Sequence, residues 1–234
     1  GNQETFHKAM NMGHSAAWDQ DWQKAAGYYS AALDEFPENP LALSSLGLAY
    51  FEMHDYENSL ICYQHAAAIA PKDPVPQEKL ARIYERMGML TDATNAYIKS
   101  AELHLNTRDI EKAIDSWQHV LAIIPDHLPT RQRLAAVYER TGRRAESVSE
   151  YIATASILQR NGDLTRAMKA VEYATRLMPE SQDARFALHT LRSSQMLPRP
   201  GKPKNIQVQA PHKAIETGGT AEGIPALKQN DPIE

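Results

Sequence analysis

The strongest constraint on how this chain can fold is an internal repeat of 54 residues. Residues 72–125 align with residues 126–179 without a gap, and twelve aligned positions are identical. Ordinary composition gives roughly three identities by chance in a window of this length. Each unit ends in a proline, Pro125 or Pro179, which stops a helix because it has no amide hydrogen to donate. The chain is therefore expected to stack similar units along one direction.

Each of these units is predicted to contain three helices. In the first unit they lie near 75–87, near 91–106 and from Asp109 onward, and the second unit repeats this arrangement. Gly88 and Gly142 are predicted to close the first helix of each unit, because glycine readily adopts the left-handed conformation that ends many helices. Three helices per unit disturb a simple alternation of inner and outer helices. Which face is concave beyond Gly88 is therefore left open.

A shorter repeat precedes these units. Pro37 and Pro71, which are both predicted to end a helix, lie 34 residues apart. The stretch before Pro71 carries small and apolar residues at fixed spacing: Leu43, Leu46, Gly47, Tyr50, Ser59, Tyr63 and Ala66. The stretch before Pro37 repeats the pattern: Ala9, Met12, Gly13, Ala16, Ala25, Tyr29 and Ala32. Asn39 and Asp55 are predicted to cap the two helices of the later repeat.

This spacing resembles the tetratricopeptide repeat, a pair of antiparallel helices with the pattern W-x₂-L-G-x₂-Y…A-x₃-F…P. Leu43 stands at the tryptophan position, Ser59 at the alanine position and Tyr63 at the phenylalanine position. The resemblance implies an all-α fold, a right-handed α-α superhelix that forms a solenoid. One helix pair cannot bury its own apolar face, so it has to stack on neighbours. The predicted helices number about eleven.

We expect the solenoid to cover residues 4–195. Its predicted parts are repeats 6–39 and 40–73, units 72–125 and 126–179, and a capping helix at 181–194 that begins after Ser181. Residues 196–234 contain six prolines and no aromatic residue. Such a segment cannot bury enough apolar surface to fold alone. It is expected to be an extended or disordered tail, or a linker.

Composition excludes several classes of function. The formal net charge of −4 argues against a nucleic-acid-binding protein, which usually carries a basic surface. No apolar run approaches the length needed to cross a membrane. The single cysteine, Cys62, allows no internal disulfide and is consistent with a reducing, cytoplasmic location. No catalytic, cofactor-binding or metal-binding motif is recognisable, so no enzyme activity, cofactor or metal is predicted.

The resemblance also implies a binding groove, because in this family the first helices of successive repeats line a concave face that holds a peptide or a partner's helix. The residues that fall on this face by position are His14, Leu41, Ser44, Leu48, Phe51, Glu78, Arg82, Glu85, Arg86, Arg133 and Arg140. The last two belong to it only if helix 129–141 also faces inward. The arginines favour a peptide with acidic groups. Pairing along one helix, as between Glu78 and Arg82, is the competing interpretation.

Two functions remain open from the sequence. The first is a non-enzymatic scaffold or adaptor that binds a protein or peptide segment in the groove. The second is a regulatory or self-association module of a larger multidomain signalling protein, with the tail as linker to a missing domain. Occupation of the groove by the chain's own tail, or by a second copy, would favour the second. The identity of the partner cannot be predicted.

Overall fold

The computed structural model describes residues 1–203, 206 and 208–211, and within these residues it contains eleven α-helices and no strand. The helices are α1 (Gln3–Trp18), α2 (Trp22–Glu35), α3 (Pro40–Glu52), α4 (Tyr56–Ile69), α5 (Pro74–Arg86), α6 (Leu90–Asn106), α7 (Ile110–Ile123), α8 (Leu128–Arg140), α9 (Arg144–Arg160), α10 (Leu164–Leu177) and α11 (Gln182–Arg192). The predicted all-α solenoid is confirmed. Of the predicted tail 196–234, residues 204, 205, 207 and 212–234 lie outside the described residues.

The helices stack in chain order, each packing mainly on the next, and α9 also contacts α11. The core accordingly runs along the array as a series of apolar clusters. A cluster near the start contains Phe6, Tyr29 and Leu43, and one near the end contains Leu158 and Leu191. This arrangement follows from the repeat, because each helix pair buries its apolar stripe only against its neighbours.

Local signals in the sequence set where helices begin and end. The predicted caps are confirmed: the side chain of Asn39 accepts a hydrogen bond from Ala42 N–H at 3.0 Å, and that of Ser181 accepts one from Ala184 N–H at 3.2 Å. These bonds satisfy amide hydrogens that have no partner within the first turn. Gly88 and Gly142 adopt φ angles of +75° and +76° at the helix ends, as predicted.

Small residues allow successive helices to approach closely. A Cβ atom added at Gly47 would lie 2.8 Å from Cε2 and 2.9 Å from Cδ2 of Tyr63, whose side chain is buried. Across the same contact, Ser59 Oγ donates to Gly47 O at 2.7 Å. Gly27, in the interior of α2, is exposed, and a Cβ atom added there would have no described neighbour within 4 Å. Gly47 and Gly27 therefore have different roles.

Gly47→Ala is expected to lower the free energy of unfolding by about 1–3 kcal/mol, because the added methyl group overpacks the contact with Tyr63. Gly27→Ala is its matched control and is expected to raise this free energy by about 0.5–1 kcal/mol, because alanine favours the helix and meets no neighbour. Urea unfolding followed by circular dichroism measures both. Equal effects of the two substitutions would contradict the close approach at Gly47.

Candidate functional site

The segment that follows α11 runs back along the array and is held through its main chain. Gln159 of α9 makes two hydrogen bonds to it: its Nε2 donates to Gln195 O at 2.7 Å, and its Oε1 accepts from Leu197 N–H at 2.9 Å. One side-chain amide thus pairs with the segment as a neighbouring β-strand would. Arg160 Nη2 donates to Leu197 O at 2.7 Å, and Ser156 Oγ donates to Pro198 O at 2.6 Å.

Leu197 anchors this segment in the core. Its side chain is only 1% exposed and belongs to the apolar cluster that contains Leu158, Val171 and Leu191. The preceding Met196 is 54% exposed. Burying one leucine side chain contributes about 1.5–3 kcal/mol. The apolar anchor and the main-chain hydrogen bonds together fix this part of the tail on α9 and α11.

Arg131 of α8 continues the contact toward the middle of the array. Its three guanidinium nitrogens each donate a hydrogen bond: Nε to Pro125 O at 2.9 Å, Nη1 to Glu150 Oε2 at 2.9 Å and Nη2 to Gly201 O at 2.8 Å. Burial raises the pKa of Glu150, and the charge of Arg131 opposes that increase. A cavity of about 510 Å³ lies between residues 198–203 and the side chains of α7, α8 and α9. Arg131 therefore joins the tail to a buried ion pair.

A second cavity, of about 280 Å³, lies further along, where the tail reaches α5. Four of the residues predicted for the groove line it, namely Phe51, Arg82, Glu85 and Arg86. The rest of the lining consists of Tyr97 and His119 from the helices and Gln209 from the tail. Glu85 is buried, and its two oxygens have different donors. Tyr97 Oη donates to Oε2 at 2.8 Å, and Gln209 N–H donates to Oε1 at 2.6 Å.

The groups around Glu85 form an electrostatically coupled cluster. The His119 ring stacks on Tyr97 with centroids 4.6 Å apart, and its Nδ1 lies 3.8 Å from Glu85 Oε2. Burial lowers the pKa of His119, while the negative charge of Glu85 opposes this. Burial also raises the pKa of the Tyr97 hydroxyl, which therefore acts as a donor near neutral pH. Arg82 is paired with Glu78 at 3.2 Å.

We call Glu85, Arg131, Ser156, Gln159 and Arg160 the tail-contact surface. They contact the tail in the order α9, α8, α5, so the tail runs against the order of the helices. Each hydrogen bond joins a side chain of the helices to a main-chain group of the tail or of Gln195, the residue before it. The surface can therefore hold an extended segment with little dependence on that segment's side chains, apart from the leucine anchor.

The remaining residues predicted for the groove lie elsewhere. His14 is exposed on α1 and contacts the Tyr29 ring, with centroids 5.6 Å apart. On α3, Leu41 is exposed while Ser44 and Leu48 are half-buried. Arg133 and Arg140 are exposed on α8, and Arg133 pairs with Glu102 of α6. The structure thus brings Arg82, Glu85 and Arg86 of α5 together with Phe51 around one cavity, and places Glu78 beside Arg82. The other predicted residues lie outside this cavity.

Four residues of the tail-contact surface were not predicted from the sequence, namely Arg131, Ser156, Gln159 and Arg160. In the preceding unit the equivalent positions hold Gln77, Glu102, Leu105 and Asn106, so the internal repeat carries no signal for them. A signal did exist for Tyr97, because Glu85 and Tyr97 both recur 54 residues later as Glu139 and Tyr151. Identity of a polar pair in both units indicates an interaction between its members.

The part of the chain that the structure describes contains neither a metal-binding cluster nor a membrane-spanning helix. It contains no group of three or more His, Cys, Asp or Glu side chains that could hold a metal ion. None of its helices combines the length and apolar character required to cross a lipid bilayer.

Comparison with known proteins identifies the repeat. Residues 10–74 match the sequence model of the tetratricopeptide repeat, so the predicted family resemblance is confirmed. A curated relative, anaphase-promoting complex subunit 6 of Arabidopsis thaliana, is 26% identical over 147 residues; these make up 61% of this chain and 23% of that protein. The chain thus spans about a quarter of that relative's length.

Solved structures with similar helical arrays include two crystal structures. The MamA protein is 18% identical, with a TM-score of 0.38, and the match covers 82% of this chain and 92% of that one. The APC/C hetero-tetramer of Cut9 and Hcn1 is 13% identical, with a TM-score of 0.41, and the match covers 80% of this chain and 42% of that one.

Arg131→Met is expected to lower the free energy of unfolding by about 3 kcal/mol at pH 7, because it leaves the Glu150 carboxylate buried without its cation. It also removes the charge that opposes the raised pKa of Glu150. A carboxyl group whose folded-state pKa lies above its unfolded value binds protons more tightly when folded, so acid favours the folded state. The loss should therefore shrink as the pH falls from 7 toward 5. Urea unfolding at both pH values, each compared with the unaltered chain, measures the change.

Arg133→Met is the matched control. Arg133 pairs with Glu102, and both side chains are about half exposed. Solvent screens such pairs, so the expected loss is below about 1 kcal/mol and nearly independent of pH. Equal losses in the two variants, or a loss in Arg131→Met that does not change with pH, would contradict the buried pair.

Proposed function

Because the chain carries tetratricopeptide repeats over residues 10–74, we propose that it is a non-enzymatic protein-interaction scaffold that holds an extended, proline-containing polypeptide segment on the tail-contact surface. Proteins built from such repeats mediate protein–protein interactions through surfaces formed by stacked helices. The specific segment, its chemistry and the residues that bind it are our proposal. They rest on the way this chain's own tail is held.

The proposal is based on six hydrogen bonds between side chains of the helices and main-chain atoms of residues 195, 197, 198, 201 and 209. Four of them donate to carbonyl oxygens, and two accept from amide hydrogens. Such bonds depend on backbone conformation and not on the identity of most side chains. A segment of another protein in the same extended conformation can form the same bonds.

The proline content of the tail agrees with this chemistry. Pro198, Pro200 and Pro203 lack an amide hydrogen, so this stretch offers carbonyl oxygens more often than N–H groups. Ser156, Arg131 and Arg160 supply the matching donors. Proline also restricts the backbone toward extended conformations before binding, which lowers the entropy lost on binding. The ligand class that fits best is therefore an extended segment with prolines around a leucine anchor.

In this proposal the tail is the segment held within the same chain, and a partner's segment has to displace it. A tethered segment acts at an effective concentration of roughly millimolar order when its linker is short. A competing partner must therefore bind more tightly than the tail, or the tail must be released first. The affinity of the tail for the surface would then determine how tightly a partner's segment has to bind in order to displace it.

An acidic ligand is a separate hypothesis with weaker support. Two of the predicted groove arginines are paired within the chain, Arg82 with Glu78 and Arg133 with Glu102. These pairs reduce the positive charge that an acidic segment would meet. The proposal therefore rests on main-chain binding.

Self-association is the second candidate function, and the tail contact favours it too. A tail that binds to the helices of its own chain can also bind to those of a second copy, because the two surfaces are identical. Light scattering over a range of concentrations distinguishes the cases. A mass that doubles with concentration, and returns to that of one chain when Leu197 is replaced by aspartate, would support exchange of tails between copies.

The main test is a competition between the tail and the same sequence supplied as a peptide. We expect a labelled peptide of residues 195–211 to bind the Leu197→Asp chain saturably, and the unaltered chain at least about tenfold more weakly. The reason is that the substituted tail would have to bury a charge in an apolar cluster and therefore leaves the surface. Fluorescence anisotropy measures both affinities.

Met196→Asp is the matched control, because Met196 is exposed next to the anchor and its substitution should leave the tail in place. Circular dichroism checks that the helices are retained, and Leu197→Ser is a milder variant if they are not. Absence of binding to the released chain, or equal binding to the released and unaltered chains, would contradict the proposal.

A further inference from the structure

The two 54-residue units contain the same hydrogen-bonded pair of a glutamate and a tyrosine, which is buried in the first unit and half-buried in the second. In the first unit Tyr97 Oη donates to Glu85 Oε2 at 2.8 Å, and in the second Tyr151 Oη donates to Glu139 Oε2 at 3.1 Å. The partners are twelve residues apart in both units. Oε2 of the glutamate therefore accepts from a tyrosine in both units. The units can then be compared by what donates to Oε1.

The other oxygen has a different partner in each unit. Tyr173 Oη donates to Glu139 Oε1 at 2.6 Å, so both oxygens of Glu139 are satisfied by tyrosines of the repeat. The residue equivalent to Tyr173 in the first unit is His119. Its ring stacks on Tyr97, near Oε2. Glu85 Oε1 instead accepts the main-chain N–H of Gln209 at 2.6 Å.

A second difference lies next to the first. A Cβ atom at Gly88 would lie 3.2 Å from Cγ of Pro211, so the tail's proline sits against a position that has no side chain. Around the equivalent Gly142, no described atom outside the adjacent residues lies within 4 Å of such a Cβ position. The first unit therefore contacts the tail at Gln209 and at Pro211, two residues further on. Neither contact has an equivalent in the described part of the second unit.

We propose that Glu85, His119 and Gly88 form a subsite that recognises a main-chain N–H followed two residues later by a proline. In this chain the subsite holds Gln209 and Pro211. The ligand class is an extended segment of the form x-x-Pro whose first residue is not proline. This inference rests on the proposed function and assigns it a sequence preference.

The chemistry of a buried carboxylate explains the preference. Glu85 is 3% exposed, so an oxygen without a donor would lose its hydration and gain nothing in return. A proline at the first position has no N–H and leaves Oε1 without that donor. The side chain of Gln209 is not needed, since only its main-chain N–H is used. The subsite therefore discriminates by the presence of an amide hydrogen.

His119→Tyr converts the first unit to the residue set of the second and tests the subsite in the full chain. The new hydroxyl is expected to donate to Glu85 Oε1, as Tyr173 does to Glu139, and to displace the tail's N–H. We expect amide hydrogen exchange at Gln209 to become at least about tenfold faster, which matches the loss of one hydrogen bond to a charged group. Exchange at Leu197, whose N–H is held by Gln159, should not change.

Tyr173→Phe is the matched control, because it alters the second unit and should leave exchange at Gln209 unchanged. Unchanged exchange at Gln209 in His119→Tyr, or equal acceleration at Gln209 and Leu197, would overturn the subsite. Fast exchange at both amides in the unaltered chain would contradict the proposed function, and the subsite with it. Exchange at Leu197 therefore distinguishes failure of the subsite alone from failure of the proposed function.

A second test does not depend on the folding of His119→Tyr. Peptides of residues 195–211 are titrated against the Leu197→Asp chain, with Gln209→Pro and Gln209→Ala compared with the natural sequence. Gln209→Pro should bind about tenfold more weakly, and Gln209→Ala should bind equally well. Equal binding of all three peptides, or a similar loss with Gln209→Ala, would overturn recognition of the main chain at Glu85.

Discussion

The close contact between the helices of each pair fixes the register on which the remaining structure depends. Ser59 donates to the carbonyl of Gly47, and Ser147 donates to that of Ala135, twelve residues earlier in each case. The same interval separates the tyrosine and the glutamate of the two hydrogen-bonded pairs. Small residues at the contact allow the two helices of a pair to approach closely and to form these hydrogen bonds. A residue's position in the repeat therefore determines which side chain it faces.

A rigid register also explains how a helical array can bind an extended chain. Main-chain groups in an extended segment recur at a fixed spacing, so a surface that pairs with them needs donors and acceptors at fixed positions. Gln159, Arg131 and Glu85 come from three different helices, and their relative positions are set by stacking. The buried ion pair with Glu150 further restricts Arg131. Binding to the main chain is thus a consequence of the order in the stack.

The fold follows from the sequence almost completely, because its signals are local and repeated. Caps such as Asn39 and Ser181 act within one turn, and the helix-ending glycines need only their own backbone conformation. The site is different. Gln159 follows the apolar residues Ile157 and Leu158 and has no polar counterpart at the equivalent Leu105. Only its hydrogen bonds with the distant Gln195 and Leu197 explain it. These interactions join residues that lie tens of positions apart and do not recur in the other unit, so they produce no recognisable pattern in the sequence.

The comparison of the two units indicates how a structural element becomes a binding element. A carboxylate within the stack has two oxygens to satisfy, and a repeat can supply both donors itself, as Tyr151 and Tyr173 do for the half-buried Glu139. When one donor is absent, the fold still fixes the position of the carboxylate, and the free oxygen requires a donor from outside the helix pair. In the first unit that donor is a main-chain N–H. In the subsite that we propose, His119 stands at the position of Tyr173 and leaves this oxygen available to a main-chain N–H of the bound segment.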